Sequence, residues 1–335
     1  MHPLALLFAS TSAAYKVEVV DRCVTGKPLI TGSSIPGYPY VLNPAWLPLP
    51  GGGGGLFLRA SAPSSQPNYI AFVTSRDGRA FSPVDNTTIL LDGPPDDRAA
   101  RAMDPRAIAR PSTGDYYVNY QIAHWKVEEK RQTIISSSRT PHDLSSWKRF
   151  AAPMFPTRSD CGTALWFKDD TGDTAGTAYA VATLDCELRG GNLTLVSSTD
   201  GLRTWKEEHR LLETRANHWD NATLSAATQP VRLSDGAWLL LYNVDNLWPV
   251  HDPAPMPAYG RCALGWAILA ADTLEVLARA DAPLVSASLP WEIEGMTPKV
   301  VYTDGIKDEA EENTFTVYAG GADAVVESFT IRVAV

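Results

Sequence analysis

The chain has 335 residues, 44% of them hydrophobic and 20% charged, with 24 Gly and 25 Pro, a globular composition that excludes a disordered chain or a fibre. Lys and Arg total 29 against 38 Asp and Glu, a formal net charge of −9, so no general attraction for polyanions exists and no nucleic-acid partner is expected. No apolar run approaches the ~20 residues of a membrane-spanning helix, so no membrane partner is expected either.

Residues 1–14 carry a short apolar stretch at 3–9 followed by Ser10-Thr11-Ser12-Ala13-Ala14. Small residues after an apolar run suit a signal-peptide cleavage site, although the basic n-region is reduced to the start amine and His2. The segment reads as a signal peptide or a frayed N-terminus, with 15–335 as one folded domain. Three acceptor triplets, Asn86-Thr87-Thr88, Asn192-Leu193-Thr194 and Asn221-Ala222-Thr223, tilt the reading toward a secreted or extracytoplasmic protein, the cytoplasm being the alternative. Cys23, Cys161, Cys186 and Cys262 are widely spaced. In a secreted chain Cys161 with Cys186 is the nearest pairing; in a cytosolic one all four are buried thiols. No C-x-x-C occurs, and His124, His142, His209, His218 and His251 lack ligand spacing, so no metal is expected.

Helical periodicity is nearly absent. Runs such as Tyr69-Ile70-Ala71-Phe72-Val73, Tyr116-Tyr117-Val118-Asn119-Tyr120, Trp238-Leu239-Leu240-Leu241-Tyr242 and Thr314-Phe315-Thr316-Val317-Tyr318 read as strands. The glycines at 51–55 and the stretch 249–257 read as loops. A turn recurs between strands: Ser75-Arg76-Asp77-Gly78 with Phe81, Asp143 with Trp147, Ser198-Thr199-Asp200-Gly201 with Trp205, and a looser copy at Asp272. The Asp accepts turn amides, Gly takes a positive φ, and the aromatic packs beneath. The spacing of roughly 60 to 70 residues fits one four-stranded blade, and the length then fits about five blades. The expected fold is an all-β, five-bladed propeller in a single domain. A β-sandwich with similar hairpins is the alternative.

Polar residues interrupt strand-like sequence at Asn43-Pro44-Ala45-Trp46, Leu58-Arg59-Ala60, Met103-Asp104-Pro105-Arg106, Trp291-Glu292-Ile293-Glu294-Gly295 and Gly320-Gly321-Ala322-Asp323. Each has a bland reading as a turn residue. Gathered at one propeller mouth, they would supply the carboxylates and arginines that glycosidic cleavage uses. With Pro298-Lys299-Val300-Val301 and the Asp-Gly turns, these pieces make the sequence, from about Leu42 to Ile331, resemble family 130 of the glycoside hydrolases, the β-mannoside phosphorylases and β-mannosidases.

The resemblance implies a five-bladed propeller that binds a terminal β-mannosyl unit at its centre, with a small oligosaccharide as partner and no cofactor. It implies that Asp104 is the catalytic acid, its proton passing through a sugar hydroxyl, and that Asn43, Arg59 and Asp323 hold the sugar. Glu292 matches a Glu near the reaction centre and is the candidate base for an attacking water, Glu294 being the weaker alternative. Arg106, Trp219 and Asn243 complete the candidate substrate-binding set. Trp46, Trp125 and Trp248 are further stacking candidates, whereas Trp147 and Trp205 read as core.

Departures from the family pattern bear on the acceptor. Phosphorylases of the family usually carry a Lys where this chain has Thr223 and a His where it has Asn243, and an arginine often found in the third blade is not obvious around Leu184-Asp185-Cys186. Loss of those cations weakens the hold on inorganic phosphate. Inverting hydrolysis is therefore expected, with phosphorolysis giving mannose 1-phosphate as the alternative and a non-catalytic sugar-binding propeller as a third reading. Met103, where the family has an acid, alters the surroundings of Asp104 and keeps that third reading open. A five-bladed glycosidase for arabinosides or fructosides is the most distant option.

Overall fold

The computed structural model describes residues 15–22, 26–63, 67–91, 100–124, 131–168, 176–186, 191–246, 257–258 and 260–335. The segment 1–14, Cys23, Trp125, Trp248, His251, the side chain of His124 and most of the 249–257 loop lie outside the described residues.

Five antiparallel sheets follow one another along the chain. Strand β1 (Lys16–Arg22) stands apart from its sequence neighbours. Blade 1 is β2 (Tyr40–Pro48), β3 (Gly54–Ser61) and β4 (Asn68–Ser75); blade 2 is β5 (Ala100–Arg110), β6 (Asp115–His124), β7 (Gln132–Ser138) and β8 (Lys148–Arg149). Blade 3 is β9 (Asp160–Trp166), β10 (Ala178–Leu184), β11 (Leu193–Ser198) and β12 (Lys206–Leu212). Blade 4 is β13 (Thr223–Ala226), β15 (Trp238–Asp245), β16 (Cys262–Leu269) and β17 (Val276–Arg279), with short β14 (Val231–Arg232) and β18 (Val285–Ser286) beside it. Blade 5 is β19 (Val301–Asp308), β20 (Thr314–Gly321) and β21 (Val325–Ala334), completed by β1 on β21. One blade thus draws strands from both ends of the chain, which closes the ring and leaves no blade to separate freely.

Core packing lies between blades, because alternate side chains of a strand point to opposite faces. Leu239 and Leu241 meet Val301, Val317 and Phe329 of blade 5, while Leu240 and Tyr242 of the same strand meet Ala164, Val181 and Leu195 of blade 3. Phe57 joins Val118 and Trp147 across blades 1 and 2; Ile135 joins Leu165 and Val196 across blades 2 and 3; Tyr318 joins Trp46 and Leu56 across blades 5 and 1. A strand buried on both faces reads as a continuous apolar run, as 238–242 does.

The recurrent turns behave as expected. Asp77 accepts the amides of Arg79 and Ala80 at 2.8 and 3.0 Å, and Asp200 those of Arg203 and Thr204 at 3.0 Å each. Trp147 is core, donating its indole N–H to the Pro141 carbonyl at 3.1 Å. Expectation and structure part at 51–55: Gly54 and Gly55 belong to β3. A Cβ on Gly54 would lie 2.3 Å from the Trp46 ring and one on Gly55 2.4 Å from the Phe72 ring, so these glycines are strand positions over which aromatics lie flat.

Candidate active site

Three of the innermost strands carry a bulge at the same end of the ring. The register jumps between Leu42 and Ala45 in β2, between Met103 and Arg106 in β5, and between Thr303 and Gly305 in β19. Asn43 and Asp104 sit at φ 53° and 52°, a conformation that Asn and Asp tolerate better than other side chains. Each bulge inserts an unpaired residue and re-aims its side chain. Asn43, Asp104 and Asp304 are those residues, from blades 1, 2 and 5.

Around them the structure gathers part of the expected set. Arg59 Nη1 stands 3.8 Å from Asp104 Oδ1, with only 11% and 15% of the two side chains exposed. Asp323 lies within reach of the charges of both Arg59 and Asp104, and Thr297 donates a hydrogen bond to it. Burial raises the Asp323 carboxyl above its ordinary value, against the opposing pull of Thr297 and Arg59. Asp304, absent from the expected set, is fully buried and contacts Arg106 Nη2 at 2.8 Å. Burial pushes Asp304 up to about 8, with Arg106 pulling the other way, Asp104 adding to the rise, and Asn43 hydrogen-bonding to it.

Arg106 has a different place from the one expected. Its Nε and Nη2 donate to the Ala226 carbonyl of blade 4 at 3.2 and 2.7 Å, and its Nη1 to the Asp104 carbonyl at 2.8 Å. The guanidinium therefore bridges blades 2, 4 and 5 as an axial plug, fully occupied by protein groups. Burial acts to lower its pKa, but Asp304, Tyr302 and Asp104 hold it above the ordinary value.

Asn243 is likewise structural. Its amide donates to the Thr303 carbonyl at 2.8 Å and accepts the Thr303 N–H at 3.0 Å, pinning blade 4 to the bulge that presents Asp304. Trp219 stacks on Tyr242 at 6.0 Å and donates to the Ala280 carbonyl at 3.3 Å, beside the outermost strand of blade 4 rather than on the axis. Its neighbour Asp220 is held below the usual carboxylate range: burial works to raise it, and Arg215 and Arg279 outweigh that. Trp46 is buried against Tyr318 at 5.4 Å.

Glu292 is the main correction. It lies in the single-turn helix α1 (Pro290–Ile293) and is completely buried. One carboxylate oxygen is taken by Arg22; the other accepts the amides of Ser288 and Leu289 at 2.6 and 2.8 Å. A carboxylate so enclosed caps the helix and cannot activate a water. Glu294 is exposed.

Sequence reasoning missed Asp245 and Tyr302 as well as Asp304. Asp245 ends β15 opposite Thr223, half-buried, and Cys262 Sγ points at its carboxylate from 3.7 Å. The Cys262 thiol is pushed well above its ordinary value by burial and by the charges of Asp245, Asp323 and Asp104. Tyr302 shares a 2.7 Å hydrogen bond with Ser225. The available signal for Asp304 was an Asp-Gly pair inside the otherwise apolar run from Val300. Among the described residues no group of three or more His, Cys, Asp or Glu is arranged for a metal ion. No helix of these residues is long and apolar enough to cross a membrane. Cys161 and Cys186 are joined, with their Cα atoms 5.7 Å apart, and Cys262 is a buried free thiol.

Residues 66–334 match the sequence profile of family 130 of the glycoside hydrolases, described as β-1,4-mannooligosaccharide phosphorylase. A 1,2-β-oligomannan phosphorylase from Thermoanaerobacter sp. (strain X514) is 30% identical over 132 residues, 39% of this chain and 40% of that protein. A β-1,2-mannobiose phosphorylase from the same organism is 30% identical over 125 residues, 35% of this chain and 36% of that protein. The aligned regions thus span about two-fifths of each relative. A solved structure, described as belonging to the glycoside hydrolases of this family of mannoside phosphorylases that target β-1,2 mannosidic linkages in Candida mannan, superposes with a TM-score of 0.72. It is 18% identical, and the superposition covers 92% of either chain.

Proposed function

The chain belongs to glycoside hydrolase family 130, and from that premise we propose that it cleaves a terminal β-mannosidic bond with inversion at the axial group of Asn43, Arg59, Asp104 and Asp323. The observation that carries this reading is the convergence of Asp104, Arg59 and Asp323 from three blades at the bulged end of the ring. Asp104 is the proton donor to the leaving oxygen; Asn43, Arg59 and Asp323 orient the sugar. The β-1,2 linkage is the first choice of substrate, since both relatives act on β-1,2-mannosides by name.

For the acceptor, this reading assigns water. Asp304 and Asp323 both feel the charge of Asp104; the cation acting on Asp323 is Arg59, and the one acting on Asp304 is Arg106, whose guanidinium is already engaged by protein groups. Thr223 and Asn243 add no charge, and like charges disfavour a bound phosphate. With Glu292 enclosed, Asp245, two blades on from Asp104, is the carboxylate assigned to take the proton of the attacking water. Phosphorolysis is the second reading, supported by the names of both relatives. Incubation with β-1,2-mannobiose, with and without inorganic phosphate, separates the two. Free mannose as sole product, at a rate independent of phosphate, is expected; mannose 1-phosphate would overturn the choice of water.

A further inference from the structure

The buried carboxylate that the site does not use has its own surroundings. Glu292 in α1 faces Glu327 of β21, and Arg22, the last residue of β1, reaches both: it binds one oxygen of Glu292 and lies 3.8 Å from Glu327 Oε1. The Arg22 guanidinium also stacks over the Phe329 ring at 4.9 Å. Trp291, next to Glu292, donates its indole N–H to Glu327 Oε2 at 2.8 Å. Three separate stretches of chain, β1, α1 and β21, are thus fastened through one half-buried cation and two buried acids.

This cluster supports the turn that presents Asp323. The Trp291 ring lies against Gly321, where an added Cβ would come within 3.1 Å of it. Gly295 sits so close to the turn that its Cβ would be 2.5 Å from the Ala322 carbonyl. Beyond α1 the chain bonds directly to the turn: the Thr297 amide donates to the Ala322 carbonyl at 3.0 Å, and the Ala322 amide to the Val300 carbonyl at 2.9 Å. Ala322 and Asp323 are both held at positive φ, 45° and 53°, so the turn is strained and depends on its surroundings.

We propose that Arg22, Glu292 and Glu327 form a clasp through which the N-terminal strand holds α1 against the 320–323 turn, making Arg22 and Glu327 positioning residues for Asp323. The part concerning sugar affinity rests on the proposed function; the part concerning the turn does not. The charged groups facing Glu327 are Arg22 from β1 and Glu292 from α1, and its partner across β20 is Ala319. Burial, opposed by Arg22 and reinforced by Glu292, pushes Glu327 up to about 8. Its proton lets the two acids share one cation. A raised carboxyl contributes stability below its ordinary range that is lost as pH rises through about 8, so the clasp loosens in alkali.

Hydrogen–deuterium exchange on the whole chain tests this. At pH 7, Arg22→Met should speed exchange at the Thr297, Ala322 and Ala324 amides by about tenfold or more, the loss of a charged hydrogen bond being worth that much, while the Val118 amide of blade 2 stays unchanged. Equal acceleration at Val118, or none at the turn, would overturn the clasp. Between pH 7 and pH 9, wild type should lose protection at the turn and Glu327→Gln should not; a variant that loses it equally contradicts the proposal. With β-1,2-mannobiose, Arg22→Met should raise KM about tenfold and leave kcat within threefold, and an unchanged KM on a loosened turn would refute the link to Asp323. Absence of turnover in wild type would count against the proposed function alone, because the exchange arm reads the turn without substrate.

Discussion

The Arg106 plug gives the sharpest stability prediction. In Arg106→Met the side chain still fills the axis, but the Ala226 carbonyl loses donors at 3.2 and 2.7 Å, the Asp104 carbonyl one at 2.8 Å, and Asp304 its contact with the guanidinium. A buried acceptor left without its donor costs ~1–3 kcal/mol, so two carbonyls cost ~2–6 kcal/mol at pH 7. For a chain of this size that lowers Tm by roughly 3–9 °C. Asp304, raised to about 8 in the presence of Arg106, climbs further without it. Below pH 8 Asp304 keeps its proton in both proteins, and the difference in stability is constant. Above that, wild type has already released the proton while the variant still holds it. The gap then widens by ~1.4 kcal/mol per pH unit until the variant titrates. Scanning calorimetry of both proteins at pH 7 and pH 9.5 reads the two quantities, and adding Asp304→Asn should remove most of the alkaline widening. A Tm difference below about 2 °C at pH 7, or one that does not grow in alkali, would refute the view that Arg106 is a structural plug paired with Asp304.

Two further outcomes follow from the same contacts. Asn243→Leu leaves the Thr303 N–H and carbonyl buried without partners and should cost about 3 kcal/mol in thermal or urea unfolding; a loss under about 1 kcal/mol would mean that blades 4 and 5 are joined by apolar packing alone. Reduction of Cys161–Cys186, which closes a 25-residue separation, should lower stability by ~3.5 kcal/mol, measured by calorimetry with and without a reductant, and an unchanged transition would show the cross-link to be absent in solution.

The propeller was legible because its signals are local. The Asp-Gly turns at 77–78 and 200–201 repeat a complete hairpin end, and the doubly buried strand at 238–242 announces itself as an uninterrupted apolar run. Asn43, Arg59 and Asp104 were legible as polar residues in apolar strands and Asp323 as one just past a strand's end, and the structure gathers the last three around one ion pair. What stayed hidden depends on packing between distant segments. Nothing local distinguishes a Glu facing water from one capped by two amides and an arginine 270 residues away, as Glu292 is. Arg106 shows the same limit: its partners lie on blades 4 and 5, so its sequence context suggested a ligand where the fold supplies protein. Asn243 occupies a position that suggested sugar contact, yet both ends of its amide meet the backbone of the next blade. Trp219 was chosen for an aromatic face that Tyr242 already covers. Asp304 escaped notice because an Asp before Gly is more often a turn residue than the buried partner of an arginine from another blade.

The most direct measurement is turnover of β-1,2-mannobiose by wild type and Asp104→Asn at equal concentration and matched thermal stability. The amide keeps the shape and the neighbourhood of Arg59 but carries no transferable proton, so the rate should fall by about 10²–10⁴, the usual worth of general acid catalysis. Equal rates in the two proteins would remove Asp104 from the chemistry and with it the claim that this end of the ring cleaves glycosidic bonds.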